Sequence, residues 1–380
     1  MCPHAWPTHG GAPEAFNHAL VCCTDATATM VYDTCGGASD AKKRVHVAQR
    51  AIRVLQRHAI AVAGDSSTLE WLNALLLDVI GRTSHSLPEA KAALDRMLEK
   101  GKMAHGDSKV GVCDERFDWE LRDPDSALPS VSFRETQMNR DDYITRDSGR
   151  ERKIPTCLRQ AEMWGLERLR SREAQRCCEQ DPTAPVPAVL IAAMQSAHPP
   201  PSVVLVHYGN HWHDRERGNE SMRWYEHDVE HLLGNLSLYS TWYSQQKGSG
   251  GRRPLLLFRE NFPQHFATLE HDGSNENWRL AAARRPEKHS RKCEPIRWWL
   301  PTNVGARSLN ERASRLVNNV HPVVQWLGGG FEPLAWRYDV HLNGTTSLAD
   351  CTHHCYSPFL WEPVLDAFYR KVDAWAGSSE

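Results

Sequence analysis

The sequence has no stretch of about 18 consecutive apolar residues, the length a membrane-spanning helix requires. Nor does it open on a basic segment followed by an apolar run, so neither a signal peptide nor a membrane span is expected in this sequence. A whole-molecule excess of either charge is missing too: 45 Lys+Arg stand against 47 Asp+Glu, a formal net charge of -2, which argues against nucleic acid as a partner. Basic clusters such as "GRRPLLLFRE" and "LAAARRPEKHSRKC" are local and read as solvated loops. There is no CxxC pair to suggest a zinc knuckle, no internal repeat and no heptad run. Eleven cysteines in 380 residues are too few for a small disulfide scaffold and more than a cytosolic enzyme of this size usually carries.

The rest is the composition of a globular protein, 41% hydrophobic and 24% charged. Residues 1–40 lack apolar periodicity and read as an irregular leader, with residues 41–375 forming a single domain. Val45, Val47, Ala51, Ile52 and Leu55 recur at helical spacing, "AIAVAG" is a short apolar run suited to a buried parallel strand, and "STLEWLNALLLDVI" returns to helical period. Residues 100–160 are polar and read as a long insertion, and "TCLRQAEMWGLERLRSREAQRCC" reads as a helix. "SVVLVHYGN" and "RRPLLLFREN" are further strand candidates, separated by a long helical tract, and residues 307–326 read as another helix. Strands alternating with helices predict an α/β fold, a three-layer α/β/α sandwich around a parallel sheet.

Ser66 falls where an apolar strand gives way to a helix, at the sheet edge where open α/β folds place their sites. The helix start offers N–H groups and a positive dipole to a developing oxyanion, which suits a nucleophile; equally, Asp65 or Ser66 could simply cap the helix. A serine nucleophile needs a base, and the base a carboxylate. "DCTHHC" supplies Asp350 and His353 at a spacing that lets the carboxylate hold one imidazole nitrogen and leaves the other for a serine proton.

"GDS" after an apolar strand and "DCTHHC" near the C-terminus resemble the two signature blocks of the PC-esterase group, the plant trichome birefringence-like and fungal Cas1-type proteins of the SGNH (GDSL-like) hydrolases. Between them, "VVLVHYGNHWH", "LYSTWYSQQ", "LLLFRENFPQHF" and "WRYDVH" are similar to further blocks of that family, in the same order over about residues 58–370. The resemblance implies Ser66 as nucleophile, His353 as base and Asp350 as its orienting partner. Gly209 and Asn210, with the Ser66 N–H, would form the oxyanion hole, with a turn after the strand the other reading of Asn210. Arg259 and His265 fall at family positions near the site and are candidate substrate contacts, with a structural ion pair the other reading of Arg259. Arg337, Asp339 and His341 read as a scaffold network, and Trp212 and Trp242 as core or cleft wall. The family carries cysteines at Cys293, Cys351 and Cys355, which implies that Cys351 or Cys355 is disulfide-bonded, with Cys293 the favoured partner.

The activity so implied is glycan O-acyl transfer, typically O-acetylation in the Golgi, through an acyl-serine. The glycan or polysaccharide is the substrate partner and an acyl donor, such as acetyl-CoA or an acetylated glycan, the co-substrate. No bound cofactor and no metal are expected. A carbohydrate acetyl esterase and a non-catalytic glycan-binding relative are the alternatives. This chain departs from the family pattern at His354, where a tryptophan is usual, and in "STLEWL" after the serine. His211, His213, His227 and His231 form a competing metal-site candidate, but lack the H-E-x-x-H arrangement. Three N-x-S/T sequons, at Asn219, Asn235 and Asn343, would permit glycosylation.

Overall fold

The first strand, β1 (Ala59–Gly64), is buried along nearly its whole length, which is why its sequence shows no polar alternation. Ile60 and Val62 point into one core, Ala61 and Ala63 into a second on the opposite face. The structure, a computed structural model, describes residues 38–100, 102–103, 119–121, 128–135, 187–209, 219–247, 252–268, 271, 273–274, 293–297, 305–338, 341, 351–354 and 358–378.

Seven strands form one sheet among these residues. In chain order they are β1, β2 (Lys102–Met103), β3 (Trp119–Leu121), β4 (Ser130–Glu135), β5 (Val203–His207), β6 (Leu255–Arg259) and β7 (Val324–Leu327), arranged β2-β3-β4-β1-β5-β6-β7. The five strands from β4 to β7 in that arrangement are all parallel, whereas β2 and β3 run antiparallel at one edge. From β1 the chain moves outward to β4 and then returns to β5 on the other side of β1. The strand order therefore reverses at β1 and β5, and the crevice beyond their carboxyl ends is where such sheets hold ligands.

Helices cover both faces. The helices are α1 (Ala38–Leu55), α2 (Ser66–Thr83), α3 (Leu87–Lys100), α4 (Pro187–Ser196), α5 (Asn219–Lys247), α6 (Gly305–Val320), α7 (Phe331–Ala335) and α8 (Pro358–Gly377). α1, α2, α3 and α8 pack on the face that bears Ile60, Val62, Leu205 and Leu257, while α4, α5 and α6 pack on the face of Ala61, Val204, Val206 and Phe258. This is the three-layer α/β/α sandwich expected from the alternation of elements. Among the described residues no helix is long and apolar enough to cross a membrane.

Two stretches differ from their sequence reading. Within residues 100–160, read as an insertion, Ser130–Glu135 is the parallel neighbour of β1, with Ala59 opposite Ser130 and Gly64 opposite Glu135. Its short SVSFRE sequence lacks the apolar run of the central strands because only one further strand pair lies beyond it. The helix expected over 307–326 ends at Val320, and its last residues instead form β7. The helix read at "TCLRQAEMWGLERLRSREAQRCC" and residues 1–37 of the leader lie outside the described residues.

Candidate active site

The turn from β1 into α2 is fixed by its smallest and its most polar residue. A Cβ on Gly64 would lie 2.2 Å from Thr68 Oγ1, so only glycine lets the first turn of α2 fold back against the strand end. Asp65 is the N-cap: its carboxylate accepts from the N–H of Ser67 (3.0 Å), the N–H of Thr68 (3.3 Å) and the Ser67 hydroxyl (2.7 Å). With the capping role taken by Asp65, the half-buried Ser66 presents its hydroxyl elsewhere. Its Oγ lies 2.8 Å from His353 Nε2, across 287 residues of sequence. The nucleophile and base inferred from two distant motifs thus meet at hydrogen-bonding distance. Asp350 and Asn210 lie outside the described residues.

Two residues past the end of β5, Gly209 lies at φ +141°, a conformation that side chains with a Cβ rarely adopt, and a Cβ there would meet Asn261 Oδ1 at 2.6 Å. Asn261 is itself locked to α6: its N–H and side-chain amide donate to Asn310 Oδ1 (2.7 and 3.0 Å), and Asn310 donates back to the Asn261 carbonyl (3.0 Å). His207, fully enclosed between these groups, has Nε2 3.1 Å from Asn261 Oδ1 and Nδ1 3.4 Å from Asp65 Oδ1. Burial, and next the Arg259 charge, hold its pKa below the ordinary histidine value despite the nearby carboxylate.

Arg259 and His265, the candidate substrate contacts of the sequence, are 1% and 0% exposed. Arg259 donates through Nη2 to Ser67 Oγ and Thr68 Oγ1, both at 2.9 Å, and its guanidinium lies 3.9 Å from the Phe262 ring centre. Burial lowers its pKa to about 10, opposed by the charges of Asp65, Glu260 and Glu70. It still carries its charge at neutral pH and braces the turn that presents Ser66. Glu260, next along the chain, is raised by burial but accepts from the N–H groups of Gly330 and Phe331.

The segment bearing His353 is held at every described residue. Cys351 is disulfide-bonded to Cys293, with Cα atoms 5.4 Å apart, and its carbonyl accepts from the His265 N–H at 2.9 Å. Gln264 donates to Thr352 Oγ1 at 3.2 Å, and the His354 N–H donates to Glu70 Oε1 on α2 at 2.5 Å. The His353 carbonyl accepts from His341 Nδ1 at 2.8 Å, and His341 also bridges to His354 as an isolated antiparallel pair. Cys355 lies outside the described residues.

Next to His353 in this segment, His354 packs with His265 and His341, all three buried, each offering a ring nitrogen within 4.8 Å of the others. His265 Nδ1 and His341 Nε2 are 2.6 Å apart, and His265 Nε2 lies 3.1 Å from the Ala335 carbonyl. Burial foremost, then the charges of His341, His265, His353 and Arg337, drives the His354 pKa well below normal. This cluster went unrecognised in the sequence, where His341 reads as scaffold and His354 as a departure from a tryptophan; its members come from three separate segments. The alternative histidine set behaves differently. His227 and His231 are exposed on α5 with ring centres 4.7 Å apart, and His227 pairs with Asp228, while His211 and His213 lie outside the described residues. Trp242 belongs to the second core, stacked 5.6 Å from Tyr239; Trp212 and Asp339 lie outside the described residues. The Asn235 sequon sits in mid-helix, its amide donating to the His231 carbonyl at 2.9 Å; Asn343 lies outside the described residues.

In comparisons with known proteins, no family model and no curated protein matches this chain.

Proposed function

We propose that this protein is a serine-dependent acyltransferase that moves an acyl group, as an acetyl ester, onto a glycan hydroxyl, as the resemblance to PC-esterase proteins implies. The observation that carries the chemistry is the 2.8 Å contact between Ser66 Oγ and His353 Nε2 at the reversal point of a doubly wound sheet. In this reading His353 takes the Ser66 proton as Oγ attacks the ester or thioester carbonyl of the donor. The N-terminal N–H of α2 at Ser66, with the backbone of Gly209, receives the developing oxyanion, and Asn210 adds its amide. The departing group takes the proton back from His353 and leaves an acyl-serine. A sugar hydroxyl, deprotonated by the same imidazole, then attacks the acyl carbonyl and expels Ser66 Oγ, which takes that proton back. Asp350 would orient the ring.

Water in place of the sugar makes the same site an acetyl esterase, and the two differ only in what reaches the acyl-serine. The Cys293–Cys351 disulfide suits an oxidising compartment, in keeping with work in the secretory pathway, such as the Golgi.

The test is acyl-enzyme trapping with an activated acetyl ester, followed by mass spectrometry of the intact protein and of a glycan panel. A single acetyl adduct on the Ser66 peptide, chased onto glycan, is the expected result. Ser66→Ala and His353→Ala should each lower turnover by about 10³-fold or more while the fold is kept, and the double variant should be no worse than the more severe single, since such residues act as a unit. No adduct at all would favour a glycan-binding protein without turnover.

A further inference from the structure

The contacts of His265 and His341 set their protonation without recourse to titration. A backbone carbonyl can only accept a hydrogen bond. His265 Nε2 faces the Ala335 carbonyl and His341 Nδ1 faces the His353 carbonyl, so each of these outer nitrogens carries the hydrogen. In the neutral imidazoles the two inner nitrogens, His265 Nδ1 and His341 Nε2, are then both lone pairs, and they point at each other across 2.6 Å. Two acceptors at that distance repel unless a cation stands between them.

The third ring sharpens the point. His354 is 1% exposed, and among the described residues neither of its ring nitrogens has a hydrogen-bond partner, an arrangement that costs free energy for each buried polar atom. Its ring centre is 4.3 Å from that of His341 and 5.9 Å from that of His265. A proton shared by His265 and His341 would relieve their repulsion but leave His354 unsatisfied. One divalent ion relieves both.

We propose that His265 Nδ1, His341 Nε2 and a ring nitrogen of His354 form a binding site for a transition-metal dication, zinc foremost. Neutral imidazole is a ligand of choice for zinc, with bonds of about 2.0–2.1 Å, so tetrahedral ligand nitrogens sit about 3.4 Å apart. Reaching that spacing asks the His265–His341 pair to open by less than 1 Å from 2.6 Å and the cluster to tighten from its 4.8 Å outer limit. The carbonyls of Ala335 and His353 already supply the outer hydrogen bonds that orient metal-bound imidazoles. The Arg337 charge within reach of His354 weakens the hold on a bare cation and favours an anionic fourth ligand such as hydroxide.

The ion's task is positioning. It would tie the segment after β6 and residue 341 to His354, the residue next to His353. The site stands whether or not the serine turns over.

Full-length protein purified without chelator is tested by metal analysis, and X-ray absorption at the zinc edge reports the ligands. The expected result is close to one zinc per chain, in a shell containing three imidazoles. His354→Gln should weaken zinc by about 100-fold or more, whereas a His227→Gln, His231→Gln double variant should keep it. Chain that takes up no stoichiometric zinc when zinc is supplied overturns the proposal, as does a shell with fewer than three imidazoles, or metal lost with His227 and His231. Because the absorption measurement uses unaltered protein, it decides the matter even if His354→Gln fails to fold.

Discussion

Asp65 and Ser66 divide two tasks that either could have performed from sequence alone. The carboxylate takes the N–H groups of Ser67 and Thr68, and the hydroxyl beside it is left to His353. The neighbouring serine cannot substitute, since the Ser67 hydroxyl is buried between Asp65 and Arg259. Gly209 carries a prediction at this scale. With φ at +141° and Asn261 Oδ1 2.6 Å from where a Cβ would sit, Gly209→Ala must bend the backbone or displace the amide that holds His207. The expected loss is about 1–3 kcal/mol or more of stability, read from denaturant midpoints, together with reduced turnover. An unchanged midpoint would mean that the turn after β5 is free to relax.

Elements are held to one another here by the segment around His353 rather than by helix packing alone. Residues 351–354 touch α2 through Glu70, the segment after β6 through Gln264 and His265, and Cys293 through a covalent bond. The disulfide spans 58 residues, for which loop-closure entropy gives about 4 kcal/mol. Cys293→Ala should therefore lower stability by about 2–5 kcal/mol. Turnover should fall even where the protein stays folded, because the His353 imidazole loses one anchor of its backbone. Retention of full activity after reduction, with the disulfide shown open by peptide mapping, would assign the bond to stability alone.

Across the whole molecule, what the sequence disclosed and what it hid separate by range. β1, β5 and β6 were legible because strands covered on both faces must be apolar throughout, and α5 because its apolar positions recur at helical spacing. β4 was not, since SVSFRE owes its place to pairing with β1 rather than to its own pattern. Ser66 and His353 could be guessed as partners from motif order, whereas Arg259 looked like a ligand because nothing local shows that Ser67 and Thr68 will enclose its guanidinium. The histidine cluster was invisible, because residues 265, 341 and 354 meet only once the sheet has set their segments side by side.

That same enclosure has a consequence for stability as a function of pH. His207 is fully buried and its pKa is pushed down, by burial first and the Arg259 charge second, while in the unfolded chain it returns to about 6.5. Below that value the unfolded state binds a proton that the native state refuses, so stability rises with pH across this range. His207's contribution is complete above about pH 6.5 and is lost as pH falls towards its folded pKa, at up to about 1.4 kcal/mol per pH unit. The partly buried His321 shifts in the same direction, also through burial, so it adds to the slope without being enclosed at the site. Urea midpoints measured from pH 7.5 down to pH 5 should therefore decline, and His207→Gln should flatten the decline without abolishing it. A His207→Gln profile that runs parallel to the native one would show that the imidazole is protonated in the folded state, held between Asp65 and Asn261 as an ion.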